Sequence, residues 1–249
     1  MIYRPQTLFV DLSKEMSATF ERGHLIPKDS ELALSLGDRI DKLSEAMATD
    51  AAKLRGFLHV MCGDLDGAIA VLAGSGLAPS RRDFEIFAAL TNLGYASRGL
   101  ELYSVVGSPT TGSFTKCLPG GIALGAFRAI GRFLTQAETM HLSNMDGVPV
   151  EMLRTAERIL ENAGTDDAAV ARVLDVAGHV VREYGLVHTG TVQLDAFDST
   201  DCVKLRYRFA ISPDQAAWLY NEFLDRLFDE NVPVPSAFVV SFEGQNITH

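Results

Sequence analysis

The chain has 249 residues, 47% hydrophobic and 22% charged, with a formal net charge of −10. That length allows one large domain or two small ones with an ample core, in the composition range of soluble globular proteins. The acidity excludes a nucleic-acid or anionic-membrane surface as the main partner, because neutralising phosphates takes clustered Lys and Arg, and no DNA partner is expected.

Residues 7–21 have the period of a helix, with Leu8, Leu12, Met16 and Phe20 on one stripe and Gly23 as its stop. Asp29 or Ser30 can cap a second helix that buries Leu32, Leu36, Ile40 and Leu43. Asp50 opens a third, in which Leu54, Phe57, Leu58 and Met61 recur at helical spacing. Gly63 and Asp64 turn the chain, and a return helix carries Ala68 and Leu72.

From here a near-repeat of roughly 31 residues is visible. One copy runs through Gly56, Gly63-Asp64, Ala68-Ile69 and Pro79; a looser one runs through Gly94-Tyr95, Gly99-Leu100 and Pro109. Residues 52–79 resemble a tetratricopeptide repeat. Gly56 falls at the small position of its first helix, Gly63 at that helix's end, and Ala68 where the second helix packs back. The resemblance departs from the family at Ala52 and His59, where aromatic residues are expected. It implies stacked helical hairpins over residues 1–145 and a groove that takes a partner protein or peptide, since one hairpin cannot bury its own face.

Beyond the repeat, 107–113 and 118–121 break the pattern, and a long apolar helix is expected from Ile122 to Met140. Gly125 and Gly131 inside it mark close approach to a neighbour, because glycine otherwise weakens a helix interior. Residues 144–147 are the linker candidate. A helix pair follows, stopped by Gly164 and restarted at Thr165. After Gly185 the period falls from 3.6 to 2, giving strands around Val192–Ala196 and Val203–Ile211, with 198–201 as the hairpin loop. Ser212-Pro213-Asp214-Gln215 has the form of a capping box with Pro at the first helical position. Phe238, Val240 and Phe242 mark a last strand. The expected fold is α+β and mostly helical, a helical-hairpin stack (1–145) followed by a helix pair and a ββαβ unit (146–249).

No set of residues amounts to an active site, and neither a metal nor a cofactor is expected. Cys62, Cys117 and Cys202 are dispersed without a CxxC pair, which points to a reducing, cytoplasmic setting. His59 and Cys62 lie three apart on one helix with no second ligand pair in view, so His59 is expected in the groove, binding a partner. The 107–113 segment has the glycines of a phosphate loop but not its lysine. Arg182 and His188 have the Arg-x5-His spacing that resembles HEPN-type RNases, which would make His188 an acid or base and Arg182 a phosphate stabiliser. That is the alternative to an adaptor function. Asp195, Asp198 and Asp201 fit a hairpin turn better than a cation site. Lys204, Arg206 and Arg208 share the strand face opposite the core and form a candidate docking stripe for an acidic partner or an RNA backbone, with the two arginines expected to be free of acidic partners on the first strand. A homo-oligomer is compatible with all of this.

Overall fold

The computed structural model describes residues 5–142, 145, 147–189, 192–197, 199 and 201–244. Among these the protein is α+β and mostly helical, with a small mixed sheet near its C-terminal end. It divides into two compact units, Met1–Leu93 with Arg182–Thr189, and Gly94–Val181 with Gly190–His249. The contacts therefore divide the chain at 93/94, 181/182 and 189/190.

The first unit holds α1 (Pro5–Phe20), α2 (Glu31–Ser44), α3 (Ala48–Met61), α4 (Leu65–Ala73) and α5 (Pro79–Asn92). Ser30 caps α2, its hydroxyl accepting from the Ala33 amide at 3.2 Å. Asp64 caps α4 in the same way through Gly67 (2.9 Å). Helices α3 and α4 form a hairpin, turned at Gly63 in the left-handed conformation that a helix end of this kind requires (φ 73°). The close approach expected of Gly56 is present: a Cβ there would stand 2.9 Å from Leu72 Cγ of α4. Ala68, on the facing side, is fully buried. The later segment joins this unit by backbone pairing, Leu25 N–H to Gly185 O at 2.8 Å and Val187 N–H to Gly23 O at 3.0 Å.

The second unit holds α6 (Ala96–Val106), α7 (Phe114–Ala123), α8 (Phe127–Thr139), α9 (Val150–Asn162), α10 (Asp167–Glu183, whose last turn passes into the first unit), β1 (Gln193–Phe197), β2 (Cys202–Phe209), α11 (Pro213–Asp229) and β3 (Phe238–Gly244). The long helix expected from Ile122 is two helices. Gly125 (φ 74°) separates α7 from α8, and 118–121 lies within α7, Pro119 included. Packing decides this point: the fully buried Tyr103 ring lies where a Cβ on Gly121 would be, 2.5 Å from its Cζ, so Gly121 is a contact position and not a break. Gly131 does meet a neighbour, as expected. The Glu157 carboxylate occupies the place of its missing side chain, and Arg154 donates to its carbonyl at 2.9 Å.

The C-terminal ββαβ order is as expected, and the strands run β1-β2-β3. β1 and β2 are antiparallel, with Leu194 opposite Leu205, Ala196 opposite Val203, Asp195 opposite Lys204 and Gln193 opposite Arg206. This is the register that alternation demands, because a slip of one residue would put the basic side chains in the core. β3 pairs parallel to β2, Val203 opposite Phe238 through Phe209 opposite Gly244. Helix α9 packs on β1 and β2, and α11 on β3. The α11 capping box forms in full, Ser212 and Gln215 exchanging bonds at 3.2 and 2.9 Å.

Candidate functional site

His59 opens the site. It lies in the last turn of α3, and its Nδ1 is 2.9 Å from Asp64 Oδ2. The same oxygen accepts from Lys28 Nζ at 2.9 Å. Gly67 makes the arrangement possible, since a Cβ there would collide with both the His59 ring and the Asp64 carboxylate. Lys28 first, then the Gly67 amide, hold the Asp64 carboxyl down at about 2, although burial opposes them. Facing an ionised carboxylate, which can only accept, Nδ1 carries the hydrogen of this contact, and Nε2 points away from it.

These groups stand at one end of a recess of about 200 Å³ between α2 and α3. Ala33, Leu34 and Leu58 supply its apolar surface, and Leu34 is 59% exposed. Asp38, Asp41 and Arg55 form the opposite rim. Arg55 donates to Gly37 O at 3.0 Å and pairs with Asp41; the absence of a side chain at Gly37 leaves room for the guanidinium. Cys62 lines the recess as well, but burial pushes its thiol up, with Lys28 a weaker opposing influence. It therefore stays a thiol at neutral pH, and no nucleophile is prepared here.

The other expected residues are placed differently. Arg206 is not free. Its Nη2 donates to Asp195 Oδ1 at 3.1 Å, its Nε lies 2.7 Å from Oδ2 in ion-pair contact without a hydrogen-bond geometry, and Nη1 donates to Glu243 Oε1 at 3.2 Å. Arg208 pairs with the other oxygen of Glu243 at 3.2 Å. The expectation that both arginines lack an acidic partner fails: β3 brings Glu243 directly opposite Arg208, and the diagonal from Asp195 to Arg206 wins over the direct pair with Lys204. The hydrogen bonds from both arginines bring Glu243 below its usual range despite the burial that would raise it. Lys204 lies on the same face, half-buried.

Arg182 and His188 both reach the C-terminal end of α5, Arg182 through Leu93 O and His188 through its amide to Asn92 O (3.3 Å). The His188 ring is buried, and desolvation lowers it to about 4. An imidazole so placed is shielded from solvent and from any substrate, out of the reach that proton transfer needs. Asp195 serves Arg206 and Asp201 occupies the turn (φ 44°), while Asp198 lies outside the described residues. The 107–113 hydroxyls serve the fold: Thr111 Oγ1 and Ser113 Oγ donate to Val106 O at 3.1 and 2.9 Å, satisfying the end of α6. Among the described residues no three His, Cys, Asp or Glu side chains converge as metal ligands, and no helix is long and apolar enough to cross a membrane.

Sequence reasoning singled out His59 but missed the rest of the recess. Arg55 shares α3 with His59, but Lys28 comes from a loop and Asp64 from the turn into α4, and the turn at Gly63-Asp64 was legible without these contacts. No protein-family model, no curated protein and no solved structure matches the chain.

Proposed function

We propose that this chain is a protein-interaction adaptor or regulator that takes a peptide segment of a partner in the recess between α2 and α3. The supporting observation is the recess itself, in which exposed Leu34 and the side of Leu58 stand between two ion pairs, Lys28–Asp64 and Arg55–Asp41. Its volume suits one or two side chains, below the range of small-molecule cofactor sites. An apolar anchor enters, while Lys28, Arg55, Asp38 and Asp41 choose the residues that flank it. His59 Nε2 accepts a hydrogen bond from the peptide. The resemblance of 52–79 to tetratricopeptide hairpins supports the same reading, and the three free thiols suit a reducing, cytoplasmic setting.

The test is selection of displayed random peptides on the purified protein, followed by calorimetric titration of the enriched sequences. Leu34→Glu should weaken binding at least about tenfold, because it puts a charge on the anchor's surface. His59→Ala should weaken it less. Failure to enrich any sequence, or affinities indifferent to both substitutions, refutes the proposal.

A further inference from the structure

β3 is an edge strand, paired only with β2 among the described residues. Ala237 O accepts from Val203 N–H at 2.8 Å, so the backbone groups of Ala237 face β2. Alternation along the strand turns those of Val239, Ser241 and Glu243 the same way, and turns the N–H and C=O of Val240 and Phe242 outward. The Val240 and Phe242 side chains are buried, yet their backbone donors and acceptors line the open edge. Among the described residues two common protections of an edge are missing. It has no Pro or Lys, and its register against β2 is unbroken by a bulge.

Helix α11 runs beside this edge. Pro213, Ala216, Ala217 and Tyr220 form an open groove with residues 241–244 of β3. The groove continues as a stripe on α11, where Ala217, Leu224 and Phe228 recur at i, i+7 and i+11. Phe228 is 84% exposed. An aromatic ring in water, on a stripe that adjoins an open strand edge, is a contact surface and not scatter.

We propose that the occupant of this surface is a second copy of the chain, with β3 antiparallel to the partner's β3 about a twofold axis at Ser241. In that register Val240 stands opposite the partner's Phe242. Each such pair exchanges both backbone hydrogen bonds, and the outward groups are the ones those bonds require. The two sheets become one of six strands, and the α11 stripes meet across the axis. Asp214, Asp225 and Asp229 lie roughly 60° or more around the helix from Ala217, so the acidic residues stay at the rim. The strip is about 25 Å long and about 20 Å high, or roughly 500 Å² per copy. That is within a factor of two of the roughly 800 Å² per partner typical of stable complexes. The surface belongs to the second unit and is independent of the α2–α3 recess.

Light scattering on size-separated protein, together with amide hydrogen exchange, tests this. At about 100 μM the chain should have twice its 27.0 kDa mass, and dilution should dissociate it. Leu224→Glu/Phe228→Glu should give a monomer with unchanged circular dichroism. The Val240 and Phe242 amides should exchange at least about tenfold faster in that variant than in the dimer. If the double variant fails to fold, Ala217→Arg provides the same test at an exposed site. A wild-type monomer at 100 μM overturns the proposal and leaves the edge to a strand from another protein. A dimer that survives these substitutions, or Val240 and Phe242 amides that exchange freely within a dimer, overturns it as well.

Discussion

Burial keeps the His188 imidazole neutral in the folded chain, at about 4 against an ordinary 6.5, and this makes a prediction with a definite sign. Above pH 6.5 neither state binds the proton and the full contribution is present. Below it the unfolded chain takes up a proton that the folded chain refuses, so stability falls as pH drops from 6.5 towards 4, by up to about 3 kcal/mol. Asp64, held at about 2 against 3.8, adds a second loss below about pH 4. Urea midpoints measured across this range should show both phases, and His188→Gln should flatten the first. An unaltered slope in that variant assigns the phase to another group. Ala68 has no space around it, so Ala68→Leu should cost about 1–3 kcal/mol by overpacking the α3–α4 hairpin. An unchanged melting midpoint would remove the close contact.

At the scale of elements, α10 works as a holder of other helices' ends. Asp167 accepts from the Arg128 and Ala129 amides at 2.8 and 3.0 Å, and Asp175 accepts from the Ser97 amide at 3.1 Å. These carboxylates sit at the first turns of α8 and α6, which have no side-chain cap of their own. Burial raises Asp167, and the two amides pull against it. Asp167→Ala should therefore cost about 1–2 kcal/mol and Asp167→Asn less, measured by denaturant unfolding. Equal losses would mean that the cap is not the source. Local helix signals were legible in sequence where the cap is local, as at Ser30 and Ser212. They missed the α7–α8 break and the starts of α6 and α8, because caps supplied from 78 and 39 residues away leave no mark in a short window.

For the whole molecule, the notable fact is that the first unit is not continuous in sequence. Arg182–Thr189 returns to it and supplies the bonds to Gly23 and Leu25, as well as the His24–Leu186 bridge. A fragment of residues 1–145 should then be less stable than the same residues in the full chain. Limited proteolysis and circular dichroism of the two would show it; equal protease resistance would mean that the returning segment is dispensable. Cutting a chain where composition changes assumes that contacts follow sequence order, and here they do not.

Two kinds of information set this architecture. Period-2 alternation, the Ser212 box and the loop length were enough to specify the β1–β2 register and the ββαβ order, since burial on one face tolerates no slip. Small residues at Gly56 and Ala68 were enough to specify a tight hairpin, because only small side chains let two helices approach that closely. Glu243, the partner that Arg206 and Arg208 share, could not be read that way. That partnership depends on β3 returning parallel to β2 and setting Glu243 beside them, a pairing between residues 35 and 37 positions apart. The recess around His59 has the same origin: its charges lie on separate elements, and only the packing of α2 on α3 brings them to one place.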